Sequence, residues 1–290
     1  MPSSSRFRAI PPPIRTFGGQ TLERTRAISV AVSNVWRRRR CLNVGGGPWF
    51  AHPGWDNLEE VRSLINRRPY RLSPSGVWPF PDDSLDTVYT SHVLEHLDDN
   101  TVGGVLTQAF RVLRPGGRLI ICIPDFDRAR ECWASRNPSF FTDRHWSYGQ
   151  VAHTWKNRGI TDSLDYRAAF LFCGFWTAEY GHPFKRDFHH HPRAYHGPPP
   201  VAEDILAGLP GSRPPSQVSR FLRDWVLANE TGIQFNHQNA WSRAELVALL
   251  AGNGFQTVSC ETRQVVTACA DVPRISRRAG QSTFCLAMKP

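Results

Sequence analysis

Gly45, Gly46 and Gly47 stand directly after the short apolar run Leu42–Val44, and Glu59 follows 14 residues after Gly45. Glycine allows positive φ and lets a backbone approach a ligand closely. A carboxylate at the end of the next strand can accept hydrogen bonds from ribose hydroxyls. Strand, Gly-x-Gly, strand and acid is how α/β sheets bind a nucleoside. A tight turn that merely reverses the chain is the plainer use of three glycines. The following residues sharpen the first reading, because "WDNLE" places Glu59 at the end of a second strand. The 14-residue spacing is shorter than the ~20 of the dinucleotide fingerprint. Trp49 and Phe50 stand where its third glycine would be. A nicotinamide dinucleotide enzyme is disfavoured on both counts.

A second group is "SHVLEH", with His92, Glu95 and His96. His92 reads either as a general base that takes a proton from a hydroxyl or amine, or as a hydrogen-bonded histidine at a helix start. Asp125 and Asp127 follow a third candidate strand. They read as a general base or substrate-orienting pair, or as caps of the helix begun by "PDFDRARECW". His189, His190, His191 and His196 lie among prolines. In such an extended segment neighbours point to opposite faces, so substrate contact and a solvated loop both remain open.

The elements that must position these groups follow from the pattern. Residues 40–44 and 55–58 read as strands, and "SLDTVYTS" (84–91) as a third after the turn cluster "PFPDD". In "DDNTVGGVLTQAFRVLR" the apolar residues Val102, Val105, Leu106, Ala109, Phe110 and Leu113 recur at helical spacing. Asp98, Asp99 or Asn100 can cap that helix. Pro115-Gly116-Gly117 ends it, and "RLIICI" (118–123) is a fully buried strand. "SRAELVALLAGNGF" is a helix capped by Ser242, with "QTVSCETR" and "STFCLAMK" as closing strands. This is the grammar of a parallel α/β sheet. The intervening sequence is rich in Trp, Phe, His, Arg and Pro and is too long for a simple crossover. It divides the chain into a basic extension with a first helix (1–40), an α/β core (41–125), an inserted cap (126–235) and the rest of the core (236–290).

The net charge of +10 is local. Residues 1–40 carry nine Arg and one acid, Glu23, so the remaining 250 residues are close to neutral. That leader reads as a solvated extension, as an organelle transit segment, or as an arm for phosphates. The body has no basic stripe suited to nucleic acid. No apolar run approaches the ~18 residues of a membrane helix. The seven cysteines are odd in number and lack a C-x-x-C pair. This favours free thiols in a reducing, cytoplasmic setting over disulfides or a zinc site.

"LNVGGGPWFAHPGWDNLE", "WPFPDDSLDTVYTSHVLEHL" and "RVLRPGGRLIICIPD" together resemble the class I S-adenosylmethionine-dependent methyltransferases. The similarity lies with the branch that has a short first loop and L-P-F-P-D and H-x-L-E-H motifs. It covers residues 41–127 and resumes at about 236–290. It implies a Rossmann-like sheet, mostly parallel with the last strand antiparallel. It also implies the donor S-adenosyl-L-methionine and the product S-adenosyl-L-homocysteine. By position, Gly45, Gly46 and Gly47 would line the methionine moiety, Glu59 the ribose, and Leu72 and Ser73 the adenine. Asn43 stands where the family has an acid and can meet the ligand amine through its carbonyl oxygen. His92 would border the donor, with His92 and Asp125 the catalytic candidates.

Some relatives, among them ubiquinone-pathway O-methyltransferases and small-RNA 2′-O-methyltransferases, carry E-x-x-E-H and hold a divalent ion. Here His92 replaces the first carboxylate, and the expectation is no metal, with Glu95 and His96 bracing the helix. The expected acceptor is a small or medium-sized metabolite, natural product or sugar, methylated on O or N. Nucleic acid is disfavoured, and the oligomeric state is undetermined. The alternatives are a non-catalytic protein on the same fold and an RNA methyltransferase that uses the leader. Residues 126–235 are expected to cover the strand ends, with Trp133, Trp146, Trp155 and Trp176 lining or bracing an acceptor pocket.

Overall fold

The computed structural model describes residues 40–47, 52–60, 62, 69–142, 162–173, 201–211, 213–229 and 237–290. The leader, the histidines at 189–191 and 196, and Trp146, Trp155 and Trp176 lie outside the described residues.

Among the described residues, six strands form one sheet in the order β2-β1-β3-β4-β6-β5. They are β1 (Cys41–Val44), β2 (Trp55–Leu58), β3 (Leu85–Ser91), β4 (Leu113–Pro124), β5 (Gln256–Ser259) and β6 (Ser282–Met288). β1 pairs in parallel with β2 and β3, and β3 with β4. β6 runs antiparallel to both β4 and β5, so it alone opposes the rest. The sheet has the expected mostly parallel form.

β4 alternates its buried side chains between two apolar layers, as a strand covered on both faces must. Leu119, Ile121 and Ile123 face the larger layer, and Ile120 and Cys122 the smaller. The larger layer holds α1 (Asp99–Val112). Asp98 caps this helix by accepting from the Thr101 N–H at 2.9 Å. The strand after α1 starts earlier than the sequence pattern suggests. Leu113 already pairs with Leu85, Arg118 pairs with Thr87, and the Pro-Gly-Gly segment between them bulges out.

The described parts of the insertion are helical. They are α2 (Phe126–Ala134), α3 (Leu164–Phe172), α4 (Glu203–Ala207) and α5 (Pro215–Asn229). Phe126, Trp133, Phe172 and Leu222 join the same apolar layer as the sheet. Trp133 is fully buried and its indole N–H donates to Asp165 at 2.7 Å. It therefore braces α2 against α3. The chain then returns through α6 (Arg243–Gly252), whose Ser242 and Glu245 form a capping box. Beyond β5, Thr262–Ala268 form a helix, α7, where the sequence pattern extends the strand. α7 supplies Val265 to the smaller layer.

The cysteine expectation is corrected. Cys260 and Cys285 form a disulfide, while Cys41, Cys122, Cys132, Cys173 and Cys269 are free and buried. Strand pairing joins two positions that are 25 residues apart in sequence. Among the described residues no helix is long and apolar enough to cross a membrane.

Candidate functional site

The glycine segment folds back onto the end of β2. Gly45 has φ of 69° and Gly47 of 78°, both in the left-handed region. The Gly45 N–H donates to the Leu58 carbonyl at 2.7 Å. The Gly47 N–H donates to Glu59 Oε2 at 2.8 Å. Asn43, buried on β1, donates from its amide to Asn57 Oδ1 at 3.2 Å. That leaves the Asn43 carbonyl oxygen as its accepting end. A Cβ at Gly46 would lie 1.7 Å from Asn43 Nδ2, and one at Gly45 would lie 2.4 Å from Val93 Cγ2. At Gly47 an added Cβ would meet none of the described residues within 4 Å. Tyr70 N–H donates to the Glu59 carbonyl at 2.9 Å, which brings the loop with Leu72 and Ser73 to the same strand end. Leu72 packs on the core, and Ser73 opens a turn closed by the Gly76 N–H.

Beside this, β3 ends in a second strained turn. His92 has φ of 54° and its N–H donates to the Cys122 carbonyl at 2.8 Å. Its ring is held at both nitrogens, with Nδ1 3.2 Å from Glu95 Oε1 and Nε2 2.8 Å from Ser282 Oγ. Burial lowers the His92 pKa, and the Glu95 carboxylate only partly offsets it. Burial also acts to raise the Glu95 carboxyl, but the His92 hydrogen bond and the neighbouring imidazoles hold it down at about 2. The pair is thus a neutral imidazole donating through Nδ1 to an anionic carboxylate. Nε2 is then the accepting nitrogen, facing the Ser282 hydroxyl.

Glu95 and His96 lie in a short 3-10 turn, Leu94–His96. His237 reaches them from just beyond the insertion, its ring centroid 4.7 Å from that of His96. Its Nδ1 lies 2.5 Å from the Leu171 carbonyl, and burial foremost lowers its pKa to about 3. The segment is strapped down, since Gln238 and Asn239 N–H groups both donate to the Glu95 carbonyl. Asp125 caps α2, accepting from Arg128 N–H at 3.2 Å through one oxygen and from Arg243 at 3.3 Å through the other. Asp127 accepts from the Arg243 N–H at 2.8 Å.

The structure thus brings Asn43, the three glycines and Glu59 together, and places His92 on the adjoining strand end. Asp125 sits at the end of β4, engaged by α2 and by Arg243. His237, Arg243 and Ser282 were not foreseen. Each lies more than 100 residues from its partner, and no local pattern marks it.

Residues 56–121 match a family model described as a methyltransferase domain. The demethylmenaquinone methyltransferase of Mycobacterium sp. (strain KMS) is 27% identical over 124 residues, which is 33% of this chain and 50% of that protein. The chain therefore spans about half the length of the mycobacterial relatives it matches. An uncharacterized 37.1 kDa protein in transposon TN4556 of Streptomyces fradiae is 47% identical over 81 residues, covering 26% of this chain and 23% of that one. Among solved structures, the 1,6-didemethyltoxoflavin-N1-methyltransferase of Burkholderia thailandensis, with S-adenosylhomocysteine bound, aligns over 97% of this chain and 93% of its own. The identity there is 10% and the TM-score 0.37.

Proposed function

We propose, from the match of residues 56–121 to a methyltransferase domain, that this chain transfers a methyl group from S-adenosylmethionine to O or N of a small or medium-sized acceptor. The observation that carries the reading is the bond from Gly47 N–H to Glu59 Oε2. It fixes a carboxylate at the common end of β1 and β2, beside a glycine backbone with positive φ. One Glu59 oxygen then has a set place from which to accept the ribose hydroxyls. The methionine moiety would lie along Gly45–Gly47, with its amine toward the Asn43 carbonyl oxygen, and the adenine toward Leu72 and Ser73.

In the transfer, an acceptor lone pair attacks the methyl carbon as the carbon–sulfur bond breaks. The sulfonium leaves as a neutral thioether, S-adenosylhomocysteine. The donor is already a strong electrophile, so the protein's task is alignment and exclusion of water. A hydroxyl acceptor must lose a proton. His92 Nε2 is the basic atom for it, once Ser282 yields its place. Asp125 would orient the acceptor from the end of β4. The near-neutral body and a small-molecule methyltransferase among the relatives favour a small acceptor over nucleic acid. Calorimetric titration with S-adenosylhomocysteine, followed by turnover of S-adenosylmethionine with candidate phenols, amines and sugars, tests the reading. Saturable binding with acceptor-dependent product supports it; no binding of either nucleoside removes it.

A further inference from the structure

We propose that Glu95, His96 and His237 form a binding site for one divalent ion of the zinc class. Each residue offers a ligand atom, and these atoms lie within 4.8 Å of one another. Neighbouring tetrahedral ligands on zinc are roughly 3.4 Å apart. Closing the difference asks for a rotation of His96, the one ligand that is not fully buried.

The carboxylate itself asks for a partner. Glu95 has no exposed surface, and beyond His92 Nδ1 no hydrogen-bond donor reaches its two oxygens among the described residues. Buried charges are ordinarily paired or bound to a metal. A single imidazole is a thin complement for a wholly buried carboxylate.

His237 is set up as a ligand. The Leu171 carbonyl can only accept, so Nδ1, 2.5 Å away, carries the hydrogen. The lone pair is then on Nε2. Metal-binding histidines characteristically give their other N–H to such a carbonyl, which fixes the tautomer and the ring. His92 gives Glu95 the same outer support. Side-chain amides bonded to backbone carbonyls hold the two halves together independently of an ion. Gln238 Nε2 donates to the His96 carbonyl at 3.1 Å and Asn239 Nδ2 to the Leu97 carbonyl at 2.8 Å. Glu95 and His237 are therefore brought together before any ion arrives, and His96 has only to turn its ring.

Two imidazoles and one carboxylate suit zinc with one coordination position left open. Magnesium prefers oxygen ligands, and only Glu95 supplies one. The expectation of no metal followed from His92 replacing a carboxylate in the local motif. In the fold His92 is the outer partner, and His237 supplies the missing ligand from elsewhere in the chain.

The test uses the full chain, stripped of metal by a chelator and titrated with zinc, with cobalt as an absorbing substitute. The expected result is one zinc per chain and a visible cobalt spectrum. His96→Ala and Glu95→Gln should each weaken zinc binding by at least about tenfold. A large excess of magnesium should leave the bound zinc in place. His96→Ala alters the least buried ligand and keeps the experiment readable if Glu95→Gln disturbs folding. Circular dichroism checks both. Absence of one-to-one zinc binding overturns the proposal. So does binding that survives both substitutions, which would assign the ion to other histidines such as those at 189–191. Donor binding is measured separately, so failure here leaves the methyltransferase reading standing, and the reverse holds too.

Discussion

Glu59 Oε2 accepts a hydrogen bond from the Gly47 backbone N–H at 2.8 Å, and so ties the acid after β2 to the turn after β1. The proposed ribose contact is made to this carboxylate. Hydrogen bonds to a charged group contribute about 1.5–3 kcal/mol each. Glu59→Ala should weaken S-adenosylhomocysteine binding at least tenfold, an effect of about 1.4 kcal/mol or more. Titration calorimetry on a variant with native circular dichroism reads it. Unchanged affinity would move the ribose contact to another residue.

Gly47 and Gly46 are required for different reasons. Among the described residues nothing crowds Gly47, but its φ is 78°. Asn tolerates that conformation far better than a β-branched residue. Gly47→Asn should keep measurable donor binding, while Gly47→Val should lose it. At Gly46 the obstacle is steric, since an added Cβ meets Asn43 Nδ2. Gly46→Ala should therefore impair binding although alanine is small. Equal affinities for Gly47→Asn and Gly47→Val would show that the backbone conformation is unimportant there.

Trp133 should matter for stability before it matters for binding. Trp133→Phe keeps an aromatic ring but removes part of the indole's volume and the N–H that reaches buried Asp165. Asp165 retains an ion pair with Arg136. The loss should be about 1–3 kcal/mol in urea unfolding, with donor affinity within a factor of two or so. A selective loss of donor binding at full stability would place Trp133 at the ligand instead of in the brace.

Asp98 carries a pH signature. The Thr101 backbone N–H, foremost, lowers its pKa below the ordinary value of 3.8. A depressed carboxyl contributes stability that is fully present above its unfolded pKa and is lost as pH falls through the folded one. Asp98→Ala should cost about 1 kcal/mol at neutral pH, and less as the pH drops below 3.8. Asp98→Asn keeps a capping oxygen and should sit between the two at neutrality. A pH-independent difference between wild type and Asp98→Ala would exclude the charge as the source.

The sequence by itself determined the elements whose signals are local. The apolar spacing from Val102 to Ala109, the cap candidates Asp98, Asp99 and Asn100, the cap at Ser242 and the glycines after Val44 are all neighbours in the chain. Backbone geometry acts over a few residues, so composition and spacing suffice to read them. The placement of Glu59 near the glycines was legible for the same reason, because one short strand separates them. Tertiary structure alone decided the rest. Cys260 meets Cys285 only through the antiparallel pairing of β5 with β6. His92 has its ring held by Ser282, Asp125 is engaged by Arg243, and Glu95 has His237 beside it. Those partners lie far along the chain, and a side chain's partner is fixed by the packing of whole layers. A motif such as "SHVLEH" names the groups that are present; the fold determines which of them point at one another.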